Sequence, residues 1–409
     1  AMRSESSAPK LVLKLQDADA DIVAGACTGL GYMGAEGDEV AKVLHHKEPR
    51  ARAAAVGSFA QSLQAAERNA AKIAALVGDP DAYVRIAAVK ALAVLGERAA
   101  PHAQALGQLC DSKDVGVRAA AAVALGGIGE MAASEIDKLE KLLSDVGEDK
   151  STLPLAIAGV QGKVSPAMRK PACAAAASLS VMGEAAGRSA GKLAQGLSST
   201  DLEVQVQCAY ALGKLGAAAA MYEEDLLELM RESQPLAVAA ACHALGMLAE
   251  GTKSVSPSTV EAMAELLKSK HPTVRGAACA GLGKMGEDVK PFLEDIVKCL
   301  DDCSAPVRCH AVAAIPTCGE HGQMFANRVC RMMLDPDARV RMAAVTTLPK
   351  LGERGLCHTE EIAMLLEDPE PSIRIAAITC LGSTRELADH AEALVALKHA
   401  MESDEVAEV

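Results

Sequence analysis

Within residues 79–99, DPDAYVRIAAVKALAVLGERA, apolar side chains stand at Val84, Ala88 and Leu92, four residues apart. That spacing puts all three on one face of a helix, with a polar turn before it and a glycine after it. Much the same order of apolar and polar positions returns in residues 335–355, DPDARVRMAAVTTLPKLGERG. Aligned on the residue before the arginine, eleven copies follow one another, with anchors running from Ile22 through Val84, Val117, Val204 and Val307 to Ile373. Seven of the ten intervals between anchors are 33 residues. A fixed period of this size predicts a stack of repeated units.

The columns of the alignment show what each position is for. Eight residues after the anchor stands a large apolar residue in every copy, from Leu30 and Phe59 to Leu348 and Leu381. Four after it stands alanine in all copies but one, where Cys208 substitutes. The small residue admits close approach of neighbouring backbones, and the large one fills the space between repeats. Twelve after it, eight of the eleven copies carry glycine, for example Gly96, Gly129 and Gly352, which predicts a left-handed helix end. A second amphipathic stretch then follows, such as SEIDKLEKLL at 134–143 or EEDLLELM at 223–230. Each unit is therefore expected to be helix, turn, helix, opening on an Asp-Pro-like turn. The fold class that results is all-α, an α-solenoid of about eleven repeats over residues 17–381 of a single 409-residue domain.

The phrase DPDxxVRxAAxxALxxLG resembles the HEAT repeat, especially the short HEAT-like units also found in phycobilisome lyases. The resemblance covers nearly the whole chain and implies the solenoid fold, but it is poor in functional content, because such arrays serve many scaffolds and a few enzymes. It also implies a role for the arginine after the anchor, here Arg52, Arg85, Arg118, Arg275, Arg308, Arg341 and Arg374. In HEAT proteins this arginine pairs with an aspartate of a neighbouring turn to form a ladder. The candidate acids are Asp79, Asp81, Asp114, Asp335, Asp337 and Asp368. The alternative is an arginine row that grips phosphates; the recurrence of acids beside the arginines favours internal pairing.

The regularity breaks in the middle. Ala172, Gln205 and Val238 replace the arginine, and the interval before them is 21 residues longer than the period. The excess maps to about residues 146–168, whose apolar patch LPLAIAGV holds Leu153, Pro154, Leu155, Ile157 and Val160. Such insertions often carry the binding element of a solenoid, or else fold back over core. At the start, Leu11, Val12 and Leu15 resemble a second helix without its first, an apolar surface that a partner or an upstream segment would cover. Residues 385–409 turn acidic, as a capping helix and tail would.

Composition narrows the function classes. Half the residues are hydrophobic, yet only four Tyr and three Phe are present and Trp is absent, so Ala and Leu must build the core. A net charge of −13 argues against nucleic acid or an anionic membrane as partner. No run of eighteen apolar residues suggests a membrane span, and the first residues show no signal-peptide core. Thirteen cysteines without an export signal read as reduced thiols in a cytoplasmic, intracellular setting.

Candidate chemistry is sparse. Cys27, Cys242 and Cys279 share a column otherwise filled by Val, Ala and Ile, and read as small core residues. The run Cys299, Cys303, Cys309, His310, Cys318, His321 and Cys330 has no C-x-x-C pair, so no metal is expected from it. His310 replaces an alanine and is expected to hydrogen-bond between repeats. The HEAT-like deoxyhypusine hydroxylases bind iron through repeated His-Glu dipeptides, and this chain has none. No phosphate loop, dinucleotide fingerprint or nucleophile elbow occurs either, so no catalytic residue and no cofactor are assigned.

The reading that results is a non-enzymatic scaffold or adaptor that holds partner proteins within a larger assembly. Acidic second helices suggest a partner with a basic surface, through Glu223, Glu224, Asp225 and Glu228 and through Glu294 and Asp295, on the face such helices line in HEAT arrays. The alternative, by analogy with the phycobilisome-lyase repeats, is a bilin lyase or isomerase subunit.

Overall fold

Each of the eleven first helices opens on a device that removes an unsatisfied backbone N–H. Five begin behind an aspartate whose carboxylate accepts from the helix, namely Asp19, Asp81, Asp114, Asp201 and Asp337. The other six carry proline in the first turn, at Pro49, Pro171, Pro235, Pro272, Pro306 and Pro371. The computed structural model describes residues 7–34, 37–148, 169–232, 234–253 and 255–382. It divides into two compact units, Ala1–Tyr222 and Glu223–Val409, each built of helix pairs packed side by side. Within the described residues every regular element is helical, which makes the fold an all-α solenoid of helix-turn-helix repeats.

A typical repeat has the first helix Ala82–Ala93, a 3₁₀ turn Gly96–His102 and a second helix Ala103–Leu109. Within each unit successive first helices pack on one another, so that Pro49–Phe59 lies between Ala20–Met33 and Ala82–Ala93. The apolar column eight residues past the anchor is buried in all eleven copies, from Leu30 to Leu381, and the small column four past the anchor is buried as well. One anchor departs from the expectation. Ile22 is 41% exposed, and Val23 takes the buried place instead, because the Ala8–Lys14 helix and not a preceding first helix packs there.

The eight glycines twelve past the anchor all have positive φ, between 54° and 70°. Gly34, with ψ of 24°, ends its helix in the left-handed α conformation that the sequence suggested. Gly129, Gly216, Gly319 and Gly352 have ψ between −126° and −150°, a region open in practice to glycine alone. A side chain at Gly216 would meet no atom within 4 Å, so the constraint there is purely torsional. Gly216→Ala is therefore expected to lower stability by about 1–3 kcal/mol by chemical denaturation. Gly25→Ala, inside the Ala20–Met33 helix and also in open space, should be neutral or slightly stabilising.

The stretch Val115–Leu142 is long and apolar enough to pass as a membrane span by length and composition. It is not one continuous helix. Gly129 at φ 70° and Ala132 at φ −97°, ψ 17° break it into a first helix, a 3₁₀ turn and a second helix, with most of its apolar side chains inside the repeat stack. The insertion residues Leu153, Pro154, Leu155, Ile157 and Val160, and the expected capping helix and tail at 385–409, lie outside the described residues.

Candidate partner-binding surface

Which charged groups are free to meet a partner depends on which are used between repeats. The arginine after the anchor lies one helical turn inside its helix and reaches in two directions. Backwards, all seven arginines donate Nη1 to the carbonyl six residues earlier, as Arg308 does to Asp302 O at 2.8 Å and Arg52 to His46 O at 2.8 Å. Forwards, five reach the carboxylate 27 residues later: Arg52 to Asp79, Arg118 to Asp145, Arg275 to Asp302, Arg308 to Asp335 and Arg341 to Asp368, at 2.6–2.8 Å from Nε. Four of the five are bidentate through Nη2. For Arg85 the residue 27 positions on is Ser112, and Arg85 makes no ion pair among the described residues.

The candidate acids thus divide into two sets. Asp79, Asp335 and Asp368 receive arginines, whereas Asp81, Asp114 and Asp337 cap their own helices. Asp145 and Asp302, not among the sequence candidates, complete the first set. The Arg275 guanidinium, outweighing burial, holds Asp302 below the ordinary carboxylate range. At Asp79 and Asp368 burial is the largest influence and acts upward, but hydrogen bonds from Arg52 and Arg341 and from backbone N–H groups bring both carboxyls down. Where Ala172 has replaced the arginine, Lys170 serves instead, 2.6 Å from Asp201 and 2.8 Å from Glu203. The excess length begins immediately after Asp145, and the Ala172 N–H donates to the Asp145 carbonyl at 3.1 Å, so the two sides of the insertion meet at one hydrogen bond.

The acidic second helices are only partly available. Glu223 is half-buried and accepts from the Ser256 N–H at 3.0 Å, from Ser256 Oγ at 2.7 Å and from Thr259 Oγ1, which closes the N-terminus of the Pro257–Glu265 helix. Glu224 pairs with Arg231 and Asp295 with Lys298. Asp225, Glu228 and Glu294 are exposed and make no ion pair among the described residues.

Two depressions lie in the first unit. One, of about 720 Å³, is lined by Asp137, Glu140, Lys141, Ser144, Val146 and Lys192, at the point where the insertion leaves the stack. The other, of about 1030 Å³, runs along first helices and is lined by Tyr32, Arg50, Ala53, Tyr83, Ile86 and Lys90. Tyr32 and Tyr83 are 62% and 58% exposed. Neither occupies a stacking column, so periodicity does not mark them; the available signal is that tyrosine is rare in this chain, with three of the four, these two and Tyr210, exposed.

The thiols are mostly core. Cys27, Cys242 and Cys279 are buried, and burial pushes Cys27 up to about 11 and Cys110, Cys173, Cys208 and Cys242 up to about 12, which keeps them protonated and unreactive. His310 meets His243 edge to face, with ring centroids 6.5 Å apart, so the expected inter-repeat hydrogen bond is replaced by a ring contact. The Cys299–Cys330 run is not gathered. Among the described residues, the one group of three potential metal ligands takes Cys330 from it and adds His358 and Glu361.

Paired helices, an arginine rung between turns and a recurring small-residue column define a helical-repeat protein. The model for HEAT repeats matches residues 69–156, 224–315 and 335–409, more than half of the chain, which belongs to the HEAT-repeat family. A search of curated proteins finds no sequence relative. Among solved structures, the chain resembles the karyopherin Kap121p bound to the extreme C-terminus of the protein phosphatase Cdc14p, with TM-score 0.57, 12% identity, and 92% of this chain covering 45% of that one. Kap121p bound to Pho4p and Kap121p bound to the SUMO protease Ulp1p each give TM-score 0.56 at 14% identity, with 97% of this chain covering 48% and 47% of theirs. The chain spans about half the length of these neighbours, and at such identities the likeness is one of fold.

Proposed function

We propose that the protein is a non-enzymatic scaffold that holds partner proteins, the preferred partner presenting a basic surface. The observation that carries this reading is the separation of its charges. Five of the seven ladder arginines pair between repeats, whereas Asp225, Glu228 and Glu294 are exposed on second helices and make no ion pair among the described residues, in a chain of net charge −13. The tyrosines at the 1030 Å³ depression add the type of side chain that anchors protein interfaces. The solenoid neighbours, crystallised with Cdc14p, Pho4p and Ulp1p segments or chains, give the fold a precedent for protein partners. The segment at 146–168 belongs to the same proposal as an added partner contact. Nothing in the family match or the neighbours supports the bilin alternative.

Capture from native extract, read by mass spectrometry, tests the proposal. The wild-type protein should retain basic proteins in a salt-sensitive manner. Joint charge reversal, Asp225→Lys with Glu228→Lys and Glu294→Lys, should release them while the melting temperature stays within the small range of surface substitutions. Retention of the same proteins by the reversed variant would overturn the basic-partner assignment.

A further inference from the structure

The residue that precedes the second helix varies from repeat to repeat, with Asn69, His102, Glu135 and Ser189 in the first unit. At the residue preceding the second helix, two successive copies carry Phe292 and Phe325; the next carries His358. In the buried column of the same helices, Val297 and Ala363 flank Cys330. Two stacking positions in adjacent repeats thus hold a thiol and an imidazole where hydrocarbon would serve packing. Glu361 lies three residues after His358, on the same helical face. The three residues come together: one ligand atom from each lies within 4.8 Å of the others.

A second observation concerns satisfaction of polar groups. Among the described residues, the buried side-chain polar atoms with no hydrogen-bond partner in the protein are His358 Nε2 and its neighbour Thr359 Oγ1. Buried polar atoms are almost always partnered, so two adjacent exceptions mark a place rather than a scatter. The other ring nitrogen, Nδ1, stands 3.3 Å from Glu361 Oε1, beyond ordinary N–H···O length. The fold therefore engages neither nitrogen of this ring firmly.

We propose that Cys330, His358 and Glu361 form a binding site for a borderline-soft divalent cation of the Zn²⁺ class, held between the second helices of two successive repeats. Tetrahedral bonds of about 2.0–2.3 Å set ligand atoms roughly 3.3–3.8 Å apart. The three ligand atoms, all within 4.8 Å of one another, already stand close to that spacing. The donor set of one sulfur, one nitrogen and one oxygen suits zinc and disfavours the all-oxygen ions calcium and magnesium. Thiolate and carboxylate together balance the two positive charges, and binding releases the Cys330 thiol proton to solvent. Three protein ligands leave a fourth position open to water or to a donor from a partner. The cation would tie the Ala326–Arg331 and Thr359–Met364 helices together.

Titrating chelator-treated full-length protein with Zn²⁺ against a competing chromophoric chelator tests the site. One tight equivalent is expected, and Co²⁺ in its place should show the thiolate-to-metal charge-transfer absorption that reports a sulfur ligand. Cys330→Ser, His358→Phe and Glu361→Gln should each weaken binding by at least about tenfold, the least that loss of even an outer-sphere partner costs. His358→Phe installs the residue that two preceding repeats use at this position, so it should fold normally and lose only the rise in melting temperature that zinc gives the wild type. Cys303→Ser, at an exposed thiol outside the three-residue group, should bind as the wild type does. No zinc equivalent in the wild type, or undiminished binding in folded His358→Phe and Cys330→Ser, would overturn the proposal.

Discussion

Arg308→Ala should cost about 3–5 kcal/mol of stability, because it strands a carboxylate that the fold has taken out of water. Asp335 is buried, and Arg308 covers it with two hydrogen bonds of 2.7 Å while holding the Asp302 carbonyl from the other side. Arg341→Ala should act in the same way on Asp368. The same chemistry sets an acid limit. Asp79, Asp302 and Asp368 have folded-state pKa values below their unfolded ones. Their contribution is therefore complete above about pH 4 and is lost as the pH falls through the depressed values. Thermal melts across pH should be level near neutrality and fall steeply in acid, with Arg308→Ala lower throughout. An exposed phosphate-gripping row would behave otherwise: Arg308→Ala would leave melting unchanged and remove an anion-dependent activity.

Leu92→Ala is the second large effect, with an expected loss of about 2–5 kcal/mol. Leu92 is fully buried where the Ala82–Ala93 helix packs against Pro49–Phe59 and Val115–Ile128, and alanines already occupy the small column around it. Nothing nearby can collapse far enough to fill the space. Since each repeat leans only on its neighbours, the loss should appear first as faster amide exchange in the flanking helices. Uniform acceleration throughout the chain, or free exchange at Leu92 in the wild type, would show that the columns are assigned to the wrong face.

The fold was legible because its decisive contacts recur at one period and use one residue type per column. Alanine four past the anchor and leucine eight past it need no knowledge of the rest of the chain. The ladder was half legible. Acids beside the arginines look like their partners, but proximity in sequence is proximity to the same turn, where Asp81 and Asp114 cap helices. The true partner is one period on, less the six residues between turn and arginine, which is how Asp145 and Asp302 escaped notice. Lys170 escaped because the substitution moved the cation two positions along the chain as well as changing it. The metal ligands were hidden for a different reason. Spacing rules assume ligands on one short loop, whereas Cys330 and His358 are 28 residues apart and meet only because repeats stack. Glu223 shows the converse, an acid that looks like surface in sequence and proves to be a cap for the following repeat.

The arginine's two reaches, six residues back and 27 forward, together equal the 33-residue period. Excising residues 276–308 would leave Arg275 looking toward Asp335 with the same geometry it now has toward Asp302. The bonding scheme is thus blind to copy number: whole units can be spliced in or out by unequal recombination with no rung left open. A cut of any other length lands a side chain opposite the wrong partner, unless it falls at a seam where extra length is already carried, as in the gap after Asp145.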